Sequence, residues 1–134
     1  MTRHQTVRVI AIRHPFAAFE ARAWRPPLNV YELRDGLMLV VELAGVDANG
    51  LHVHVHPSQV IVHGERRLSA PQGLQRVHRM EIGSGPFYIE VPLGTPVNPD
   101  GAEARYSDGM LEVWLPFAQQ PAQRVVVVQI GGGS

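Results

Sequence analysis

The chain has 134 residues, which suits one domain with a core that buries roughly two-thirds of the unfolded chain's surface. Its twelve basic and twelve acidic residues give a formal net charge of zero, so the composition offers no electrostatic attraction for nucleic acid or an anionic membrane and is compatible with self-association. The absence of cysteine excludes disulfides, thiolate metal sites and cysteine nucleophiles, and it fits a reducing cytoplasm.

Residues 1–25 are predicted to form an N-terminal arm. Branched side chains at 7–12 favour a short strand, and Phe16 and Phe19 lie three residues apart, ahead of Trp24, as on the narrow apolar face of a short amphipathic helix. Such a helix either caps the domain or a partner, or it offers an adhesive aromatic surface. The arm has no long apolar run, so we expect no signal peptide.

A succession of short strands follows the arm. The tandem prolines at 26 and 27 end any helix, because proline lacks the backbone N–H and restricts the residue before it. Apolar or alternating runs separated by turn residues then predict strands at 28–33, 37–43, 51–56, 60–66 and 87–93.

A long polar loop at 67–86 interrupts this succession. Within it, residues 75–82 again have the pattern of a strand. A long loop that carries a strand pattern is usually functional, so we expect residues 75–82 to have a role of their own.

The strongest turn signal is Asp108-Gly109. Glycine adopts positive φ without a Cβ penalty and aspartate tolerates it, which favours a tight hairpin. After the turn, Leu111 and every second residue up to 115 are aliphatic, so one face of this strand is predicted to be buried.

These elements predict an all-β chain. Short strands, frequent turns and no convincing long helix favour an immunoglobulin-like β-sandwich of two antiparallel sheets. We assign the sandwich to residues 26–117, between the arm at 1–25 and a C-terminal extension at 118–134.

Several of the motifs together resemble the small heat shock proteins, the Hsp20 or α-crystallin-domain family. Ala104, Asp108, Gly109 and Leu111 reproduce the family pattern Ala-x-x-x-Asp-Gly-x-Leu, which is followed here by an alternating strand and Leu-Pro. Residues 63–66, His-Gly-Glu-Arg, are similar to the Arg-Gly-Glu-Arg that ends a family hairpin.

The resemblance covers about residues 26–130 and implies an ATP-independent holdase chaperone without a cofactor. Its partners would be partly unfolded client proteins and other copies of itself. In the bacterial and plant branch of the family, the loop strand is exchanged between two subunits. We therefore expect a homodimer with Arg76, His78, Arg79 and Glu81 at its interface.

The resemblance also suggests where clients bind. Phe16, Phe19 and Trp24 of the arm are the candidate client-binding residues. An apolar groove between the strand at 51–56 and the strand at 103–107 is a further implied interaction surface.

The C-terminal run is predicted to promote assembly. Val128 and Ile130 resemble the family's Ile/Val-x-Ile/Val tail, and two branched side chains on one face of a strand suit two hydrophobic pockets on another subunit. The register stays open, because Val126 and Val128 fit as well. The alternative is a terminal strand that folds back on its own domain.

Three alternating histidines raise the question of a metal site. His52, His54 and His56 share one face of the predicted strand, with neighbours about 7 Å apart, and imidazole binds Zn, Cu or Ni. No carboxylate ligand lies nearby in the sequence, so we expect a polar outer face without a metal. His63 and His78 are expected to be isolated surface or interface residues.

No motif for catalysis is present. The sequence lacks a nucleophile elbow, a phosphate-binding loop and a metalloprotease motif, so we expect neither an enzyme nor a cofactor. We predict a cytoplasmic holdase that binds neither nucleic acid nor membranes. The alternatives are a co-chaperone-like or adaptor β-sandwich with one defined partner, and a histidine-rich metal-binding domain.

Overall fold

The computed structural model describes residues 4–11 and 24–119, and within them the chain is built of strands. In chain order the strands are β1 (His4–Val7), β2 (Val9–Ala11), β3 (Leu28–Glu32), β4 (Gly36–Glu42), β5 (His52–His56), β6 (Gln59–Arg66), β7 (Gly85–Pro92), β8 (Glu103–Ser107) and β9 (Met110–Pro116). The helical turns in these two ranges are two short 3-10 segments, Ala48–Gly50 and Pro99–Gly101. The prediction of an all-β fold is confirmed.

The strands form two sheets. One has the order β1-β8-β9-β4-β3 and the other the order β2-β5-β6-β7. Every pair is antiparallel except β2 with β5, which is parallel. The predicted sandwich of two antiparallel sheets is thus confirmed, with one parallel pair at an edge.

The core lies between the two sheets and follows the period of two. In β9, Leu111, Val113 and Leu115 are fully buried, whereas Glu112 and Trp114 between them are half-buried. Burying one such aliphatic side chain contributes about 1.5–3 kcal/mol relative to leaving it exposed. The alternation in the sequence therefore determines which face of each strand points inward.

The β8–β9 hairpin has the predicted two-residue turn. Asp108 and Gly109 both have positive φ, 52° and 77°, which matches the twist of the flanking strands. Gly109 is also close to a neighbouring loop, because a Cβ at this position would lie 3.1 Å from the Cα and Cβ of Ala44. Its carbonyl accepts a hydrogen bond from the Leu43 amide at 2.7 Å.

The loop at 67–84 contains no strand in the single chain, so residues 75–82 do not adopt the predicted strand there. The pairing of β6 with β7 continues to Arg66 opposite Gly85, which brings the two ends of the loop together. A strand requires a neighbour for its backbone hydrogen bonds, and within the described part of the chain no strand lies beside this segment.

The predicted strand near the N-terminus is present as two short strands. β1 pairs with β8 in the first sheet, and after Arg8 the chain continues as β2, which pairs with β5 in the second sheet. Residues 4–11 thus cross from one sheet to the other and cover two strands that would otherwise be edges.

We predict that Gly109→Ala destabilises the domain by about 1–2 kcal/mol or more, because alanine is strained at positive φ and its Cβ meets Ala44. Gly94→Ala is the control, since a Cβ there has no atom within 4 Å and the φ of Gly94 is not positive. Urea unfolding at one protein concentration measures both. Equal stability of the two variants would contradict the steric argument.

Candidate functional site

One edge of the five-stranded sheet is open. Within the described residues β3 pairs with β4 on one side, and its other side has no neighbouring strand. Val30 and Tyr31 in β3 and Leu33 after it are 45–51% exposed. An exposed apolar edge is a template for pairing with another strand.

The opposite sheet ends in an edge that resists pairing. β7 is its terminal strand and contains Pro86 and Pro92, both exposed. Proline cannot donate to a ladder and is a common means of blocking an edge. β3 is therefore the better acceptor for a strand from another chain.

The loop between β6 and β7 adds a second apolar surface. Its large apolar side chains are half to mostly exposed, from 48% for Val77 to 77% for Met80: Leu68, Leu74, Val77, Met80 and Ile82. A single domain rarely leaves a contiguous group of such residues in water unless they form an interaction site.

The residues predicted at the dimer interface lie on this loop and are exposed. Arg79 Nε lies 3.3 Å from Glu81 Oε2, and their side chains are 82% and 71% exposed. Arg76 and His78 are also exposed. An ion pair this exposed contributes little to stability, so it does not hold the loop in place.

Trp24 is packed onto the start of the domain. Its Nε1 donates a hydrogen bond to the Gly85 carbonyl at 3.0 Å, and its ring meets Phe87 edge-on at 5.6 Å between centroids. A Cβ on Gly83 would lie 2.9 Å from the indole, so this contact depends on glycine. Of the three predicted client-binding residues, Trp24 is held by the sandwich, whereas Phe16 and Phe19 lie outside the described residues.

Arg66 connects three parts of the chain around Trp24. Its guanidinium carbon lies 3.9 Å from the Trp24 ring centroid, its Nε donates to the Gly83 carbonyl at 2.9 Å, and its Nη1 donates to the Ala44 carbonyl at 3.2 Å. Sequence reasoning missed this role. The signal was the His-Gly-Glu-Arg motif, whose last residue is Arg66.

The groove implied between 51–56 and 103–107 is occupied by the chain's own N-terminus. β1 lies along β8 and β2 lies along β5, so residues 4–11 fill the space between the two edges. Val7 is 3% exposed and belongs to the core, and Val9 packs against that core. The predicted tail residues Val126, Val128 and Ile130 lie outside the described residues.

The four residues of the Ala-x-x-x-Asp-Gly-x-Leu motif lie in the β8–β9 hairpin. Ala104 is buried in β8 between Val7 of β1 and Val113 of β9, and Leu111 is fully buried in the core. Asp108 and Gly109 form the hairpin turn. These residues thus support the sheet whose terminal strand is β3.

The histidines form a cluster on the outer face of β5 and β6. The prediction that His63 is isolated is wrong, because β6 pairs it with His52, whose ring stacks on it at 4.8 Å. His54 stacks on His63 at 5.0 Å, and their Nε2 atoms are 3.0 Å apart. His56 instead contacts the turn, with its Nδ1 2.9 Å from Ser58 Oγ.

Burial lowers the pKa of His54 and of His63, and the neighbouring His52 lowers both further. Neutral rings allow one Nε2–H to donate to the other Nε2, which two imidazolium ions do not. In residues 4–11 and 24–119 no group of three or more His, Cys, Asp or Glu side chains is arranged to hold a metal ion.

No helix in the part of the chain that the structure describes has the length and apolar character needed to span a membrane.

The sequence of residues 30–131 matches the Hsp20/alpha crystallin family. The chain is 34% identical over 117 residues to the 19.0 kDa class II heat shock protein of Oryza sativa subsp. japonica. This match covers 79% of this chain and 67% of the relative. It is 26% identical over 120 residues to 18 kDa antigen 1 of Mycobacterium intracellulare, over 90% of this chain and 79% of the relative.

Solved structures agree with these matches. HspA from Xanthomonas axonopodis is similar with a TM-score of 0.64 and 26% identity, over 70% of this chain and 94% of that chain. Heat shock protein 16.0 from Schizosaccharomyces pombe is similar with a TM-score of 0.63 and 28% identity, over 75% of this chain and 96% of that chain.

We predict that acid destabilises the domain through the histidine cluster. In the folded state the pKa of His54 and His63 lies below the ordinary value of 6.5, so the unfolded chain binds protons more readily. Stability is therefore fully present above about pH 6.5 and falls as the pH drops below it.

His63→Gln should flatten the decline in stability between about pH 7 and about pH 5. His4→Gln is the matched control, because His4 is exposed in β1 and lies outside the cluster and outside the proposed dimer interface. Urea unfolding at a series of pH values measures all three proteins. The same pH dependence in wild type and His63→Gln would refute the assignment.

Proposed function

The chain belongs to the Hsp20/α-crystallin family, and we propose that it is an ATP-independent holdase that binds partly unfolded proteins and prevents their aggregation. The observation that best supports this proposal is the exposed apolar surface at the β3 edge and on the loop at 67–84. A client that loses its fold exposes similar surface. Its burial against the chaperone stabilises the contact by about 25 cal/mol per Å² and does not require a particular sequence.

The active unit is proposed to be a homodimer in which residues 75–82 of one subunit pair with β3 of the other. The two segments complement each other. Among the described residues, 75–82 has a strand pattern without a neighbouring strand, and β3 is an edge strand with one side unpaired. On pairing, Arg76, His78, Met80 and Ile82 would share one face, and Val77, Arg79 and Glu81 the other. Pairing would remove the apolar side chains of 75–82 and of β3 from water, whereas Leu33, Leu68 and Leu74 lie outside the paired segments and would remain available to clients.

Assembly beyond the dimer is proposed to use the tail. Val128 and Ile130, or Val126 and Val128, would dock on another subunit and link dimers into modest oligomers that depend on concentration. We propose that the protein acts in a reducing cytoplasm, without catalysis or a cofactor. The absence of cysteine from the sequence fits a reducing compartment.

The test of holdase activity is the light scattering of a heat-labile enzyme warmed with and without this protein, in the absence of ATP. We expect suppression at near-equimolar subunit ratios. Replacing Phe16 and Phe19 together with Ser should reduce the suppression several-fold while the unfolding curve stays unchanged. Met110→Ser is the control, since Met110 is an exposed apolar residue of β9 that lies outside the arm, β3 and the loop.

Trp24→Ser should be measured separately, because its contacts with Gly85, Phe87 and Arg66 also support the domain. Full activity of the Phe16/Phe19 variant would move the client surface from the arm to the sandwich. Aggregation that is the same with and without the protein would refute the holdase and favour an adaptor with one defined partner.

We predict that Met80→Asp with Ile82→Asp weakens the dimer at least about tenfold, because both charges would lie on a face that pairing buries. The folded subunit should tolerate them, since the two side chains are 77% and 66% exposed. Leu68→Asp, in the same loop but outside 75–82, should leave the dimer intact. Sedimentation velocity over a dilution series provides the measurement, and an unchanged dimer in the double variant would exclude this interface.

A further inference from the structure

The outer face of the four-stranded sheet has a buried apolar residue near its centre. Ile61 lies in β6, between His54 of β5 and Glu90 of β7, and is 1% exposed. Its neighbours along the strand, Val60 and Val62, belong to the core, so Ile61 points away from the core to the outside of the sandwich. Among the buried apolar residues of the described chain, Ile61 alone stands outside the core cluster.

The strands on either side of β6 do not account for this burial. Val40 has the corresponding place on the outer face of the five-stranded sheet, in β4 between Asn29 of β3 and Glu112 of β9. With a strand on each side, Val40 is still only half-buried. A further segment must therefore lie over β6 to shield Ile61 from water.

Two polar atoms on the same face are covered as well. His54 Nδ1 in β5 and Tyr88 Oη in β7 each expose less than 1 Å². Burying a polar atom is costly unless another polar group meets it, so the covering segment should carry polar groups beside its apolar ones. The covered area extends across the sheet from β5 to β7.

Residues 12–23 lie outside the described part of the chain, but the residues at both ends of this segment are anchored on the sheet. At one end, Ala11 of β2 pairs with Val55 of β5. At the other end, Trp24 Nε1 donates a hydrogen bond to the Gly85 carbonyl at the start of β7. The segment has to connect these two points.

The two anchors lie at opposite corners of the sheet. Val55 is opposite Val60 near the start of β6, whereas Gly85 is opposite Arg66 at the end of β6. Strand spacing and rise place the anchors about 14 Å apart across the strands and about 20 Å apart along them. The core fills the inner face, so the direct path runs diagonally over the outer face. A helix with its side chains is about 10 Å wide, enough to cover the middle of β6 along this path.

The composition of the segment suits this surface. Ile12 and several alanines can shield Ile61 at short range. His14, Glu20 and Arg22 supply polar groups for the two covered polar atoms. One segment thus offers both kinds of contact that the outer face requires.

The C-terminal residues 120–134 are the other long segment outside the described residues. They continue from one described point, Gln119, so the connectivity of the chain does not lead them across this face. Residues 12–23 must pass from one corner of the sheet to the other whatever their conformation, which makes them the better occupant.

We infer that residues 12–23 dock on the outer face of the four-stranded sheet and cover Ile61, so that the arm has a fixed seat on its own domain. This inference goes beyond the proposed function and does not depend on it, because an adaptor could seat its arm in the same way. In a holdase, the seat would determine where Phe16 and Phe19 meet a client, beside β5–β7 and away from the β3 edge.

A cysteine in place of Ile61 tests the inference, since the natural chain has no cysteine to interfere. The probe is the rate at which the Ile61→Cys thiol reacts with Ellman's reagent in the full-length chain. A second version has residues 13–22 replaced by the same number of Gly and Ser residues, which keeps β2 and Trp24 in place. Loss of the covering side chains should speed the reaction at least about tenfold, because the thiol no longer waits for the arm to open.

Val40→Cys is the matched control, since Val40 lies on the outer face of the other sheet and should react equally fast with either arm sequence. His54→Cys gives a second position under the proposed cover, with less change to packing than at Ile61. Urea unfolding of each variant shows that the rates are those of a folded domain. Rates that are the same with both arm sequences at Ile61→Cys and at His54→Cys would overturn the inference.

Two further measurements identify the occupant. Truncation after Gln119 should leave the Ile61→Cys reaction slow, and a fast reaction in that variant alone would assign the cover to the tail. The slow rate should also persist on dilution, because the cover belongs to the same chain; a rate that rises on dilution would assign it to another subunit. Either result would overturn the inference, whereas failure of the wild type in the holdase assay would refute the proposed function alone.

Discussion

The structure depends on how the backbone N–H and C=O groups of its edge strands find hydrogen-bond partners. Two open sheets have four edges, and each edge strand presents backbone N–H and C=O groups that seek partners. Two of these edges are the short strands β1 and β2, and β7 is protected by two prolines. Among the described residues β3 is left open, with apolar side chains beside it. The interactions proposed for the arm, the loop and the tail follow from these differences between the edge strands.

Features set by local periodicity could be predicted from the sequence. The buried face of β9 and the Asp108-Gly109 turn depend on residues within a few positions of each other, and both match the structure. The position of His63 was predictable too. The turn at Pro57-Ser58 places His56 opposite Gln59, and the same register puts His63 opposite His52. The strands predicted at 51–56 and 60–66 are separated by three residues instead of two, and this shift of one in the register hides the pairing of His52 with His63.

Contacts between distant segments could not be read from the sequence. A strand pattern at 7–12 predicts an extended segment, yet nothing in it identifies β8 and β5 as partners more than forty residues away. The contacts of Arg66 with Trp24 and Gly83 likewise join residues that are far apart in the sequence. The segment at 75–82 shows the converse, because it has a strand pattern but no strand of residues 4–11 or 24–119 lies beside it to pair with.

The loop at 67–84 can change in length during evolution independently of the core. Because Arg66 and Gly85 are already paired, the domain needs only that the two ends of the loop meet. Each doubling of loop length raises the closure cost by only about 0.6 kcal/mol, so insertions and deletions there are nearly neutral for folding. Paralogues in one cell could diverge in this loop and sort into separate assemblies while their cores stay interchangeable.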